Sequence, residues 1–351
     1  MSALTPAHPS GTGAGARRPK AVLVMLPRAF REQFGPAEHE RLHTLAQVDE
    51  PAHLTRLDTV EARARLAEVE VLITSWGCPH LDADILDHAP NLSVVLHAAG
   101  TVRALVSSEV WRRGIQVSNC ADENAIPVAE FTLAAIIMAG KKAPFIAAAA
   151  RTGRATWSDY RKAFGPMTNL DTTVGIIGFS KIGRRVVQRL RTLEVSTLVY
   201  DPLVDPEEIR AAGARPASLS EILRRAGTVS VHAPALPSTR HMIGAAELAQ
   251  MADYATLINT ARGSLVDTAA LEAECASGRL NAILDVTDPE PLPPGSVLYD
   301  LPNVMLTPHI AGSQGNETLR MSRNVLDELE RYATGQPLRS AVTATELEVM
   351  A

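Results

Sequence analysis

The stretch Val174-Gly175-Ile176-Ile177-Gly178-Phe179-Ser180-Lys181-Ile182-Gly183 decides how this chain is read. An apolar run enters a glycine turn, and a basic amphipathic segment carrying Arg184, Arg185, Arg189 and Arg191 leaves it. A second β-like run, Thr197-Leu198-Val199-Tyr200, then ends at Asp201. Strand, tight turn, helix, strand and terminal carboxylate are the parts of a dinucleotide site. The helix N-terminus faces pyrophosphate, and the acid accepts hydrogen bonds from the adenosine ribose. Gly178 and Gly183 hold the first and third positions of G-x-G-x-x-G, but Ser180 fills the second, where backbone must approach phosphate closely. A glycine-punctuated βα turn without a ligand is the competing reading, although serine is small and its hydroxyl suits a phosphate oxygen. Asp201 would repel the extra phosphate of NADP and so argues for NAD. Asp201-Pro202 is also an ordinary turn pair.

The bounds agree with a cofactor enzyme. A chain of 351 residues predicts two domains, and 46% apolar residues suffice for two cores. A net charge of −5 gives no reason to expect a nucleic-acid partner. The three cysteines, Cys78, Cys120 and Cys275, are far apart with no CxxC spacing, which suggests neither a disulfide framework nor a metal site and fits a reducing cytoplasm. Residues 1–19 are rich in Ala, Gly, Pro, Ser and Thr without a secretory apolar core, so a disordered tail is expected over 1–20. The most membrane-like stretch, Phe131–Gly140, is ten residues long and closed by Lys141-Lys142; it reads as a core helix too short to span a bilayer, so no membrane partner is expected.

Apolar runs at Ala21–Leu26, Val69–Thr74, Leu92–Leu96 and Ile115–Val117 alternate with helical stretches such as Val60–Val69 and Leu81–His88. That alternation predicts parallel βαβ units. From Asn124 to about Ala150 an alanine-rich helical run takes over. Strands then resume at Thr173–Ile177, Thr197–Tyr200, Thr228–Val231, Thr256–Asn259, Ala282–Leu284 and Val304–Leu306, and an amphipathic helix follows near Ser313–Tyr332, returning to the first domain. The fold class is therefore α/β: two doubly wound parallel-sheet domains with a ligand cleft between them, the first built from 21–123 plus 310–345 and the second from 124–309.

Three ionisable residues lie in turns after successive strands of the second half: Arg262 in Asn259–Asp267, Glu290 in Asp285–Pro291, and His309 in Leu306–Gly312. In a parallel sheet such C-terminal strand ends share one rim, where the Gly178 turn also sits. Oxidising a 2-hydroxy acid requires removing the hydroxyl proton as hydride leaves carbon, a task suited to imidazole. A carboxylate on the other ring nitrogen fixes the tautomer, and arginine grips a substrate carboxylate through two parallel bonds. Singly, each has a plainer reading: a helix-start arginine, a solvated glutamate in a proline-rich loop, a turn histidine. All three together after adjacent strands favour the chemical one.

Over nearly all its length after the tail, the chain resembles the D-isomer-specific 2-hydroxyacid dehydrogenases. The matching segments are the Gly178 turn with Asp201, Val231-His232-Ala233-Pro234 with Pro237-Ser238-Thr239, Asn259–Asp267, Asp285–Pro291 and Thr307–Gly312, while Asn124–Glu130 resembles the start of the family's interdomain helix. The resemblance implies a Rossmann-type cofactor domain inserted in a flavodoxin-like substrate domain, NAD as cofactor, and a homodimer. It implies Arg262 as substrate-carboxylate ligand, Glu290 as histidine partner and His309 as acid/base. Cofactor contacts are implied at Gly178, Ser180, Lys181, Ile182, Gly183, Asp201, Pro234, Thr239, Thr260, Ala261, Asp285 and Gly312. Substrate contacts fall at Ala99, Gly100 and Trp76, with Trp76 either a pocket wall for an apolar substituent or a packing residue.

Two departures bear on substrate. Ser75 and Trp76 stand where phosphoglycerate dehydrogenases often carry a phosphate-binding arginine, and His97–Arg103 lacks the family's usual glycine-valine-aspartate run, with Arg103 near the place of that aspartate. An unphosphorylated 2-keto acid such as glyoxylate, hydroxypyruvate or a longer analogue is the expected substrate. The alternative is a nucleotide-sensing binding protein on the same scaffold without turnover. Formate or phosphite as donor ranks lowest, because formate enzymes of this family usually carry glutamine at the position of Glu290.

Overall fold

The structure, a computed structural model, describes residues 17–152, 159 and 162–349. Of the tail expected over 1–20, residues 1–16 lie outside the described residues, and Lys20 already opens the first strand. The chain divides into two compact units, Met1–Cys120 with Thr318–Ala344, and Ala121–Glu317 with Thr345–Ala351.

In the first unit, β1 (Lys20–Val24), β2 (Gln47–Leu54), β3 (Val71–Thr74), β4 (Val94–His97) and β5 (Gln116–Asn119) lie side by side in the order β5-β4-β3-β1-β2, all parallel. This is the flavodoxin-like order. A short strand, Ala341–Val342, extends the sheet antiparallel along β5, so the sheet is not purely parallel as the sequence pattern predicted. β2 escaped the sequence reading because its QVDEPAHL is mostly polar and exposed at the sheet edge, where no apolar alternation is needed. The core joins Leu23, Ile73 and Leu96 to Met321, Val325, Leu326 and Leu329 of the helix Thr318–Ala333. That helix starts five residues later than expected, after a 3-10 turn at Gly315–Glu317. Thr318 Oγ1 and Ser322 Oγ donate to the carbonyls of Glu32 and Gln33, which pins the helix to the N-terminal segment. The buried Glu328 carboxylate accepts from the Arg339 and Ser340 amides at 3.0 Å and leads the chain into its last strand.

The second unit holds β6 (Thr172–Ile177), β7 (Val195–Tyr200), β8 (Arg215–Pro216), β9 (Thr228–Val231), β10 (Thr256–Asn259), β11 (Asn281–Leu284) and β12 (Val304–Leu306) in the order β12-β11-β10-β9-β6-β7-β8, every pair parallel. The order reverses at β6, which is the Rossmann arrangement with one strand added. Val174, Ile176 and Ile177 of β6 are fully or nearly fully buried, each worth about 2 kcal/mol of apolar transfer. The helix Lys181–Leu190 buries Val186, Val187 and Leu190 and leaves its arginines at the surface or partly covered.

The helical run expected from Asn124 to Ala150 is two helices, Ala121–Gly140 and Ala143–Thr152. The break is at Lys142, whose φ of 51° leaves the right-handed region. Its buried ammonium donates to Tyr254 O at 2.6 Å and Thr256 Oγ1 at 3.1 Å, and burial lowers its pKa to about 8. Phe131–Gly140 is thus half of a 20-residue helix that is long and apolar enough to cross a membrane by length and composition, contrary to the expectation that it is too short. Its Ala135, Ile136 and Ala139 pack with Val174, Ile176 and Val187, so it serves as a core helix of the second unit.

Two buried histidines are neutral by construction. His97 shares a 2.8 Å hydrogen bond with Thr74 Oγ1, and His232 one of 2.9 Å with Ser230 Oγ. Burial lowers their pKa values to about 4 and about 3. The unfolded chain therefore binds more protons than the fold between roughly pH 4 and 6.5, and stability is lost as pH falls through that window. We expect the urea midpoint to drop steadily from pH 7 to pH 4.5. His232→Asn, measured in the same titration, should flatten the slope; an unchanged slope would sink this account.

Candidate active site

The glycine turn follows β6. Gly178 has a φ of +95°, and a Cβ there would lie 2.5 Å from the Ala233 amide nitrogen, so only glycine lets the turn pack against the segment after β9. Ser180 is the N-cap of the Lys181–Leu190 helix, its Oγ accepting from the Gly183 amide at 3.4 Å. Its hydroxyl hydrogen stays available to an anion, so serine in the second glycine position does structural service and keeps the helix terminus open. Asp201, at the end of β7, accepts from the Phe179 amide at 2.7 Å and the Leu203 amide at 2.9 Å, which brings a carboxylate against the turn. Turn, helix terminus and acid fit a dinucleotide. Lys181 pairs with Asp122, and Ile182 packs into the core beside it.

The reactive groups come from the ends of β10, β11 and β12, which are neighbours in the sheet. After β10, Asn259 clamps the loop: its Oδ1 accepts from the Ala261 amide at 3.0 Å and its Nδ2 donates to Arg262 O at 2.8 Å. Gly263 lets this loop touch the next, since a Cβ there would lie 2.0 Å from the Thr287 carbonyl. After β11 come Asp285 and Glu290, and after β12 His309. His309 Nδ1 and Glu290 Oε1 are 2.7 Å apart, leaving Nε2 to face a reacting atom. Arg262 is largely covered, and among the described residues no carboxylate forms an ion pair with it. Burial lowers its pKa while the nearby Glu290 raises it. Its Nη1 donates to Ala261 O at 2.7 Å, and a covered guanidinium with no carboxylate paired to it among the described residues is suited to receive an anion. A cavity of about 640 Å³ opens beside the pair, lined by Asp285, Glu290, Pro291, Tyr299, Pro308 and His309.

His309 holds a φ of 54°, costly for a residue with a Cβ. Asp285, 2% exposed, keeps it there. Its Oδ1 accepts from Thr307 Oγ1 at 2.6 Å and the Ile310 amide at 2.8 Å, its Oδ2 from the Ala311 amide at 2.9 Å, and its carbonyl from the His309 amide at 2.9 Å.

Of the other residues singled out in the sequence, Thr239 closes the loop after β9, its Oγ1 donating to Pro234 O at 2.6 Å. Thr260 is buried against Thr132, 2.9 Å between hydroxyls, with Ala261 beside it. Gly312 lies against Asn124, whose Oδ1 accepts from the Ser313 amide at 2.9 Å. Trp76, Ala99 and Gly100 belong to the first unit, in the loops after the paired strands β3 and β4; Trp76 is 39% exposed and Ala99 buried. The sequence reading gave no role to Asn259, Gly263 or Thr307. An asparagine closing a buried strand was the one local sign of the first.

Residues 133–311, over half the chain, match the model of the "D-isomer specific 2-hydroxyacid dehydrogenase, NAD binding domain". The chain belongs to that family. Its cofactor is accordingly NAD. It is 32% identical over 269 residues to a D-3-phosphoglycerate dehydrogenase of Archaeoglobus fulgidus, covering 76% of this chain and 50% of that one. A glyoxylate reductase of Aeropyrum pernix is 32% identical over 80% of this chain and 84% of its own. The solved glyoxylate reductase of Paecilomyes thermophila aligns at a TM-score of 0.75 and 25% identity, over 93% of this chain and 99% of that one. The chain spans about half the length of the phosphoglycerate dehydrogenases it matches.

Asp285→Ala would leave the Ala311 and Ile310 amides, the first of them buried, and the Thr307 hydroxyl without their acceptor. It should cost on the order of 3 kcal/mol in denaturant unfolding. A variant as stable as the parent would show that the carboxylate does not hold the loop.

Proposed function

We propose that this protein is an NAD-dependent oxidoreductase interconverting a small D-2-hydroxy acid and its 2-keto acid. The observation that carries the reading is the 2.7 Å His309–Glu290 pair beside a covered Arg262 that makes no ion pair among the described residues, on the rim that bears the glycine turn. Arg262 would grip the substrate carboxylate through two parallel bonds and so orient the neighbouring carbonyl. Bound NADH supplies the hydride. His309 Nε2 would give a proton to the carbonyl oxygen in reduction and take it back in oxidation, with Glu290 holding the ring and balancing the imidazolium charge. Gly178, Ser180, Gly183 and Asp201 would hold the cofactor's pyrophosphate and ribose, with Lys181, Ile182, Pro234, Thr239, Thr260, Ala261, Asp285 and Gly312 as further contacts.

The family resemblance is the ground for assigning substrate contacts to Trp76, Ala99 and Gly100 as well. Ser75 and Trp76, in place of a cation, favour an unphosphorylated acid, and the similarity to glyoxylate reductases supports a small one. We further infer a cytoplasmic homodimer. Cys78, Cys120 and Cys275 form no disulfide, which suits a reducing compartment. Exposed Ile137, Met138, Met167 and Leu170, joined by the 3.0 Å bond from Asn169 to Ile137 O, offer an apolar patch for a second copy.

A panel of glyoxylate, hydroxypyruvate and longer 2-keto acids, followed by NADH and NADPH absorbance, tests the proposal. NADH should be consumed with at least one member and NADPH far more slowly. NADH binding without turnover of any member would refute catalysis and favour nucleotide sensing. Arg262→Ala should lower kcat/KM by about 3 kcal/mol or more, over 100-fold. His309→Asn should lower kcat by about 10²–10⁴-fold.

A further inference from the structure

Cysteine spacing gave no sign of a metal site; histidine spacing on one helix does. We propose that His39, His43 and Glu50 bind a divalent transition-metal ion of the zinc class, clamping the helix Pro36–Leu45 to the edge strand β2. His39 and His43 are four residues apart on that ten-residue helix, so their rings share a face, with centroids 4.6 Å apart. Glu50 comes from β2, its Oε1 lying 3.7 Å from His43 Nε2. One ligand atom from each of the three lies within 4.8 Å of the others.

The spacing suits the ion. Zinc bonds of about 2.0–2.1 Å in a tetrahedron put ligand atoms roughly 3.4 Å apart. The His43–Glu50 pair is already near that separation at 3.7 Å, and binding requires the His39 ligand atom to close from within 4.8 Å. Two imidazoles and one carboxylate favour zinc, nickel, cobalt or copper over the all-oxygen preference of calcium and magnesium.

The surroundings hold the ligands in place. Leu42 and Glu38 bury the inner face of the helix, and Arg323 donates to the Glu38 carboxylate at 3.0 Å. The Phe30 ring meets His39 edge-on at 6.1 Å. Glu50 Oε2 accepts from the Ala52 amide at 3.2 Å, which orients the carboxylate as an outer-shell hydrogen bond orients a metal ligand. Among the described residues, no lysine or arginine forms an ion pair with the Glu50 carboxylate, so no resident cation competes for it. All three groups lie in the first unit, where the ion would tie helix to strand. An ion that binds only the folded state raises the melting temperature by mass action.

The test uses the full-length protein stripped with EDTA and titrated with zinc chloride by calorimetry and thermal melting. One equivalent should bind in the micromolar range and raise the melting temperature, while calcium and magnesium should not. His39→Gln and His43→Gln should each weaken binding by about tenfold or more and abolish the upshift, Glu50→Gln less severely. In the unsubstituted protein, zinc should protect His39 and His43 from alkylation, read by peptide mass spectrometry, which is independent of how the variants fold. The proposal is overturned if zinc fails to bind, if binding survives both histidine substitutions, if His309→Asn removes it, or if protection falls on other histidines.

Discussion

The carboxylate of Asp285 is the fixed point of this structure. Buried at the end of β11, it gathers a threonine hydroxyl and two backbone amides from the loop after β12, while its own carbonyl takes a third amide. These four bonds fold that loop tightly enough to carry His309 in a left-handed conformation. The backbone that carries the imidazole is thereby fixed near Glu290. Preorganisation of this kind removes an entropic cost from every encounter with a reactant. The work of Asp285 in the fold is mechanical.

Around that point the second unit concentrates contrasting electrostatics within one rim. Arg262 is a covered cation that no carboxylate among the described residues pairs with, His309 and Glu290 are half-open to solvent, and the Lys181–Leu190 helix points its N-terminus into the same edge of the sheet. The mutual dependence of the loops runs through glycine: Gly178 lets the first loop touch the segment after β9, and Gly263 lets the arginine loop touch the carboxylate loop.

What the sequence revealed and hid follows from the range of each interaction. β6, β9, β10 and β11 are covered on both faces, so they appear as short continuous apolar runs and can be located from composition alone. β2 lies at an edge and β8 is two residues long, so neither leaves an apolar signature. The interruption at Lys142 depends on a lysine reaching Tyr254 and Thr256, more than a hundred residues away, while local propensity favours one unbroken helix. Among the proposed site residues, Arg262, Glu290 and His309 stood out because each interrupts a strand-to-loop junction with a chemically active group. Asn259 and Thr307 did not, since their value lies in partners that only the folded chain supplies.

The first unit is sewn from two separated pieces of chain. Its core requires Met321, Val325 and Leu329, and its first helix, Pro27–Gln33, hangs its last two carbonyls on Thr318 and Ser322. Translation at about 5–20 residues per second delivers those groups some 10–40 s after β5 has left the ribosome. Throughout that interval β1 to β5 lack the hydrophobic cover that Thr318–Ala333 will later provide. The nascent protein must therefore complete its nucleotide-type unit while an earlier, half-clothed sheet waits, and molecular chaperones have a defined window in which to meet it.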